Sequence, residues 1–152
     1  MNIMVVAAHP DDEVLGCGGT LTALAKENNV IVGVLGEGAT SREQDRADTP
    51  TSAIGELQDQ ARTAASILGV SEVVFGGLPD NRFDNLPLLE IVKIVEGWVE
   101  RFEPEVIYTH SSGDLNIDHT LAFRAVLTAT RPVEGSSVRD LYSFEVVSST
   151  EW

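Results

Sequence analysis

Short apolar runs alternate with amphipathic stretches along the chain. Four runs rich in β-branched residues predict strands buried on both faces, and a fifth, alternating run predicts a last strand. They span residues 2–8, 30–35, 72–75, 106–109 and 141–147. Apolar side chains at helical spacing predict helices over residues 14–28, 56–68, 87–102 and 118–130. Strands that alternate with helices indicate a parallel sheet covered on both sides. We therefore expect a three-layer α/β/α, Rossmann-like fold with a mainly parallel sheet.

The segments between these elements bear on domain organisation. Residues 36–55 are polar and rich in Gly, Ser, Thr and Asp, and loops of that length usually carry function or move. No repeat or linker divides the chain, so we predict one domain over residues 1–152. The sequence stops at Glu151-Trp152 with no predicted closing helix, which leaves open a C-terminally shortened form of a longer protein.

Composition narrows the classes of partner. The chain has 24 acidic against 10 basic residues, a formal net charge of −14 at pH 7. Such a surface repels phosphate backbones and anionic membranes, and no apolar run is as long as a membrane span. We therefore expect no nucleic acid and no membrane span. The start lacks the basic segment of a signal peptide, so a cytoplasmic location is expected. A single cysteine, Cys17, excludes an internal disulfide and a cysteine-cluster zinc finger.

The three histidines of the chain point to a common edge of the sheet. His9, His110 and His119 each lie at the carboxyl end of a predicted strand or in the loop that follows, where open α/β sheets bind ligands. His9 begins the run HPDDE, and three acids after a buried strand are costly unless something positive binds there. Asp11 or Asp12 could instead cap the first helix, but capping leaves His9 unexplained.

A second cluster, DLNIDH, spans residues 114–119. Alone, it is also typical of a loop of Asx turns that leads into a helix. With the first cluster it offers two histidines and a carboxylate, the ligand set of a catalytic zinc ion with one open position. Adjacent Asp11 and Asp12 let one carboxylate bind the metal while the other takes a proton from water. Iron, cobalt or nickel could bind the same set.

Two segments carry a resemblance to a known family. AHPDDEVLGCGGTL, residues 8–21, resembles the signature of the PIG-L/LmbE family of zinc-dependent N-deacetylases, and YTHSSGDLNIDHT, residues 108–120, resembles its second motif, in a DLNIDH-type subgroup. The resemblance covers essentially the whole chain. It implies a hydrolase of linear amides that removes the N-acetyl group from an N-acetylglucosamine-type sugar conjugate, with Zn²⁺ as cofactor. It implies His9, Asp12 and His119 as the metal ligands.

The resemblance also implies roles for neighbouring side chains. Asp11 would be the general base that activates the zinc-bound water, and Asp118 would orient a ligand or the base. Many members carry a histidine at the position of Asn116. Asparagine can donate a hydrogen bond to an oxyanion but cannot carry a proton. We therefore expect His110 to compensate, or Asp11 to pass the proton to the leaving amine.

Substrate contacts are expected from residues outside the two motifs as well. The candidates are Arg42 in the long polar loop, Arg62 in the next helix, Asp80 in LPDNRFD, which resembles the family's sugar-contacting position, and His110. Each could also be a surface charge or a turn residue. The expected partner is a small-molecule N-acetylated sugar, and family members often form homo-oligomers. Two other functions stay open: a non-catalytic or degenerate domain that binds metal and sugar, and an amidase or phosphoester hydrolase with another substrate.

Overall fold

The sheet of this protein is entirely parallel in the computed structural model, which describes residues 1–150. Within that range it contains five strands: β1 (Asn2–Ala7), β2 (Asn29–Gly36), β3 (Glu72–Leu78), β4 (Val106–His110) and β5 (Asp140–Phe144). Their order is β3-β2-β1-β4-β5, and each neighbouring pair is parallel. The predicted α/β fold with a parallel sheet is confirmed.

Helices cover both faces of the sheet. On one face lie α1 (Asp12–Leu24) and α2 (Thr51–Leu68), and on the other lie α3 (Leu88–Phe102) and α4 (Ile117–Ala129). Short 3-10 turns span Thr40–Arg42, Arg46–Asp48 and Phe83–Asn85, and a short helix, α5 (Val147–Thr150), follows β5. Across residues 1–150, no helix combines the length and apolar character needed to cross a membrane.

The central strand β1 is buried on both faces, as its unbroken apolar sequence predicts. Ile3 and Val5 pack with Leu21 on the face covered by α1 and α2. Met4 and Val6 belong to the second cluster, on the face covered by α3 and α4. This two-sided burial fixes the position of the carboxyl end of β1, from which His9 emerges.

Two predicted boundaries around the long loops are wrong. Helix α2 begins at Thr51, so residues 51–55 are helical although their polar sequence predicted a loop. Strand β3 continues through Gly76 to Leu78. A Cβ at Gly76 would lie 2.8 Å from the carbonyl oxygen of Leu35, so glycine permits a close approach of β3 to β2.

The segment after β5 also differs from its prediction. The strand ends at Phe144 instead of continuing to residue 147. The chain then forms α5, in which the backbone N–H of Ser149 donates to the carbonyl oxygen of Val146 at 2.8 Å. The expectation of no helix after the last strand is therefore corrected, and α5 brings Ser149 into a buried position.

Gly16 marks a close contact between α1 and the end of β5. A Cβ at Gly16 would overlap the buried ring of Phe144, with a second ring carbon at 2.8 Å. We expect Gly16→Ala to lower the free energy of unfolding by about 1–3 kcal/mol, as overpacked core positions do. The matched control is Gly19→Ala in the same helix, where a Cβ meets nothing within 4 Å. That change should be neutral or stabilise by up to about 1 kcal/mol. Equal effects of both changes in urea unfolding would contradict the expected overlap.

Candidate metal centre

Three side chains converge at the carboxyl edge of the sheet. His9 follows β1, Asp12 is the first residue of α1, and His119 lies in the first turn of α4. Nδ1 of His9 is 3.2 Å from Nε2 of His119, and Oδ2 of Asp12 is 3.4 Å from the former atom and 3.2 Å from the latter. Two ligand atoms that each lie about 2.0–2.1 Å from a tetrahedral zinc ion are about 3.3 Å apart. The three atoms therefore have the spacing of zinc ligands.

The far nitrogen of each of these histidines is held by carboxylates. Nε2 of His9 lies 3.0 Å from Oδ2 of Asp118 and 3.2 Å from Oδ1 of Asp80. Nδ1 of His119 lies 2.8 Å from Oδ2 of Asp114. A carboxylate at the far nitrogen holds a proton there, so the inner nitrogen can offer its lone pair once a cation replaces the proton on that side. This is how proteins orient metal-ligating histidines.

The charges around the cluster favour a bound cation. Burial lowers the pKa of His9, but hydrogen bonds to Asp118 and Asp12 and the charge of Asp80 raise that pKa to about 10. Burial opposes ionisation of Asp12, but hydrogen bonds from His119 and His9 bring its pKa well below the usual value. Such a cluster stabilises positive charge, so a divalent cation can replace protons, and we expect metal binding to release them.

Asp11 adjoins Asp12 but lies outside the ligand triangle. It precedes α1 with a φ of 119°, in a region that favours glycine, and its side chain makes no capping hydrogen bond. Strained backbone at a non-glycine residue persists where the surrounding structure holds it, and it clusters at active sites. Partial burial and the charge of Asp12 raise the pKa of Asp11. Capping by the Asp11 side chain is thus not what the structure shows.

Glu13, the last acid of the HPDDE run, is buried and predicts a pH dependence of stability. Burial raises its pKa to about 7, although backbone hydrogen bonds act in the opposite direction. The folded state therefore binds the proton more tightly than the unfolded chain, whose carboxyl has a pKa near 4.5. This contribution to stability is complete below about pH 4.5 and is lost as the pH rises through about 7.

The test is the substitution Glu13→Gln in chelator-treated protein. Between pH 5 and pH 8, we expect the free energy of unfolding of the wild type to fall relative to that of the variant, because glutamine does not titrate. Urea unfolding at four pH values measures the difference. A difference that stays constant over this range would contradict the raised pKa.

His110 is wholly buried, so its predicted contact with substrate needs correction. The side chain has no exposed surface, and its Nε2 accepts a hydrogen bond from the backbone N–H of Ala8 at 2.8 Å. Its ring stacks on that of His119, with centroids 3.9 Å apart. Burial lowers the pKa of His110 to about 3. This enclosed imidazole packs against the candidate ligand His119 and has no exposed surface with which to contact a substrate.

Asp80 is also placed differently from its prediction as a sugar contact. It is only 4% exposed. One carboxylate oxygen faces Nε2 of His9, and the other accepts hydrogen bonds from the hydroxyl and the backbone N–H of Ser41. Because both of its oxygens contact protein groups, Asp80 joins the candidate metal ligand His9 to the loop after β2. The sequence showed a turn residue here but not the direction of its side chain.

The two predicted arginines occupy different surroundings. Arg42 ends a 3-10 turn in the loop after β2, next to the residue that binds Asp80. It is exposed, and its contact with substrate stays a prediction. Arg62 pairs with Asp59 at 2.9 Å, and its guanidinium lies 5.0 Å from the centroid of the Phe75 ring. The first contact lies within α2 and the second joins α2 to β3, and neither connects Arg62 to the metal centre.

Asn116 is the N-cap of α4. Its Oδ1 accepts from the backbone N–H groups of Asp118 and His119, which satisfies the helix end. Its Nδ2 donates to Oδ1 of Asn81 at 3.2 Å. The side chain is partly exposed beside His119, so the predicted role in binding an oxyanion stays a prediction that depends on Nδ2.

Asp114 and Ser149 contact the candidate metal centre, although neither residue had a role predicted from the sequence. Asp114 precedes His119 by five residues in the loop that enters α4, and this spacing was the available signal for its contact with the ring. Ser149 comes from α5, and its hydroxyl lies 3.0 Å from Oδ2 of Asp114. No local pattern indicates that contact, because it joins separate elements of the fold.

This fold and side-chain cluster define an α/β protein with a candidate metal centre at the carboxyl edge of its sheet. Residues 4–130 match the family model described as PIG-L: GlcNAc-PI de-N-acetylase, and the chain belongs to the PIG-L family. It is 26% identical over 136 residues to YaiS of Escherichia coli K12, which is described as an uncharacterized deacetylase. That match covers 86% of this chain and 69% of YaiS.

Solved structures share the fold. The conserved protein TT1542 from Thermus thermophilus is 25% identical with a TM-score of 0.73, and the match covers 94% of this chain and 65% of TT1542. GalB, the 4-carboxy-2-hydroxymuconate hydratase from Pseudomonas putida, is 26% identical with a TM-score of 0.72, and the match covers 90% of this chain and 59% of GalB. The chain thus spans less than two thirds of the length of these two proteins.

Proposed function

We propose that this protein is a zinc-dependent N-deacetylase that hydrolyses the amide of an N-acetylglucosamine-type sugar conjugate, with residues 1–152 acting as one domain. The observation that carries the proposal is the triangle of His9, Asp12 and His119, whose ligand atoms lie 3.2–3.4 Å apart. Membership of a family described by a de-N-acetylase and the likeness to YaiS support the reaction and its substrate class.

In this proposal, His9, Asp12 and His119 hold the ion. Bound zinc polarises a carbonyl oxygen and lowers the pKa of a coordinated water. Asp11 acts as the general base for the attacking water, because it adjoins the ligand Asp12 while its own carboxylate is outside the triangle. Asp118 acts on His9 as a positioning residue.

The remaining steps concern the acetyl oxygen and the leaving amine. Nδ2 of Asn116 donates a hydrogen bond to the acetyl oxygen as negative charge develops there. Asp11, protonated in the first step, delivers that proton to the amine nitrogen as the C–N bond breaks. His110 does not take this part, because it is enclosed and its Nε2 accepts from Ala8. In this proposal, Arg42, which is exposed in the loop after β2, binds polar groups of the conjugate.

The test is carboxylate release from a panel of N-acetylglucosamine conjugates and of N-acyl compounds without a sugar, by chelator-treated protein before and after addition of one equivalent of zinc. We expect acetate and a free amine in equal amounts from at least one conjugate, and only after zinc is added. Zinc binding without turnover of any N-acylated compound would instead support a non-catalytic binding domain. Turnover restricted to N-acyl compounds without a sugar would support the alternative amidase.

A hydratase is the second candidate, since GalB is 26% identical over most of this chain. Such a reaction adds a hydroxide and a proton across a carbon–carbon double bond, and the same aspartate base could take the proton from water. Loss of ultraviolet absorbance by a conjugated unsaturated carboxylate, with no acetate release from any N-acetylated sugar, would favour this candidate over the deacetylase.

A further inference from the structure

The segment after β5 returns to the loop that leads into α4. The backbone N–H of Leu115 donates to the carbonyl oxygen of Ser149 at 3.1 Å. This contact holds Ser149 in a buried position with 5% of its surface exposed. Its hydroxyl oxygen lies 3.0 Å from Oδ2 of Asp114, 3.3 Å from Nδ1 of His119 and 3.2 Å from the carbonyl oxygen of Val146. Ser149, near the end of the described residues, therefore contacts Asp114, whose carboxylate is hydrogen-bonded to the candidate metal ligand His119.

Asp114 needs the donors that surround it. Its carboxylate is inaccessible to solvent, and a buried carboxylate is costly unless its oxygens accept hydrogen bonds. Oδ1 accepts from the backbone N–H of Asn116 at 2.9 Å, and Oδ2 faces both Nδ1 of His119 and the hydroxyl of Ser149. A carboxylate cannot donate, so the protons in these contacts come from its partners. The one proton of the Ser149 hydroxyl has two acceptors, and Oδ2 of Asp114 is the nearer and the charged one. Removing the hydroxyl of Ser149 leaves Oδ2 with one donor fewer.

The orientation of Asp114 in turn sets that of His119. Oδ2 accepts a hydrogen bond from Nδ1–H, so Nε2, beside His9 and Asp12, is the nitrogen that can offer a lone pair to a metal. Groups that hold a metal-ligating histidine from outside fix both its tautomer and the angle of its ring. The hydroxyl of Ser149 contacts both members of this pair and restrains the carboxylate against rotation.

We infer that Ser149 is a positioning residue of the metal centre, which holds His119 through Asp114 and makes the segment after β5 part of the site. The inference rests on the proposed function, because it requires that the triangle of His9, Asp12 and His119 binds a metal. It adds that zinc affinity depends on a hydroxyl at position 149.

The experiment compares zinc affinity of wild type and Ser149→Ala by competition with a chromogenic chelator. We expect the variant to bind zinc roughly 10-fold more weakly, the lower end of the loss seen when such outer partners are removed. Cobalt(II) in place of zinc should show a changed visible absorption spectrum in the variant, because the angle of the His119 ligand changes. The matched control is Ser143→Ala, at an exposed position in β5, which should leave affinity and spectrum unchanged.

A second pair of variants separates positioning from folding. Ser149→Thr keeps the hydroxyl, whereas Ser149→Val places a methyl group there with nearly the same volume. We expect the threonine variant to bind zinc more tightly than the valine variant, with similar circular dichroism. If the wild type binds zinc and the two variants bind it with equal affinity, the inference about Ser149 is overturned and the proposed metal centre is not. Absence of zinc binding by the wild type would overturn the proposed metal centre and the inference with it.

Discussion

Replacing Asp11 with asparagine is expected to lower kcat by about 10²–10⁴-fold, the usual contribution of a general base, and to leave zinc affinity nearly unchanged. Asp11 belongs to none of the candidate metal-binding groups among the described residues, so under the proposed function its loss removes the proton acceptor and no ligand. Asparagine is also among the residues that best tolerate positive φ, and position 11 has a φ of 119°. The backbone that carries Asp12 should therefore keep its conformation.

The measurement is kcat for acetate release together with zinc affinity of the same preparation. Asp140→Asn is the matched control, since Asp140 is exposed at the start of β5, at the opposite edge of the sheet from the site. That change should leave both quantities unchanged. A parallel loss of zinc affinity and kcat in Asp11→Asn would mean that Asp11 is a ligand, and undiminished kcat would contradict its role as base.

Replacing His9 with glutamine is expected to weaken zinc binding by more than the roughly 10–100-fold that loss of an outer partner causes, and to abolish metal-dependent turnover. The described residues offer three overlapping groups: His9, Asp12 and His119; His110, Asp114 and His119; and His9, Asp80 and Asp118. Nδ1 of His9 faces the other candidate ligands, whereas Nε2 of His110 already accepts from Ala8. We therefore assign the ion to the first group.

His110→Gln is the matched control for this prediction. The carbonyl oxygen of glutamine can accept from the N–H of Ala8 in place of Nε2, so the variant should fold and lose less zinc affinity than His9→Gln. Thermal unfolding of both variants in the presence of chelator checks the fold independently of metal. A larger loss of zinc affinity in His110→Gln than in His9→Gln would move the metal to the second group.

Local patterns and a general rule predict that these residues converge, and the resemblance to the PIG-L/LmbE family selects His9, Asp12 and His119 as the ligands among them. The apolar run of β1 ends just before His9, and the acidic run follows at once. His119 lies at the start of a helix that follows another strand. Since carboxyl ends of parallel strands meet at one edge of a sheet, these residues are expected to converge, and the structure brings them to 3.2–3.4 Å.

The directions of the surrounding side chains are not encoded in such patterns. Asp80 and His110 lie at the expected edge of the sheet, but both side chains point into the protein. The carboxylate of Asp80 contacts His9 and Ser41. The imidazole of His110 accepts a hydrogen bond from the backbone N–H of Ala8, the first residue after β1. Predicting these orientations requires the register of β1 against β4 and the path of the loop after β2. The contact of Ser149 depends on the short helix that replaces the predicted end of β5.

Crystals of the zinc-loaded protein, with anomalous diffraction recorded on both sides of the zinc absorption edge, test the proposed metal centre most directly. We expect one strong anomalous peak at the carboxyl edge of the sheet, within about 2.0–2.2 Å of Nδ1 of His9, Oδ2 of Asp12 and Nε2 of His119. A peak bound instead to His110 and Asp114, or no peak at this edge in protein that retains zinc, would contradict this expectation.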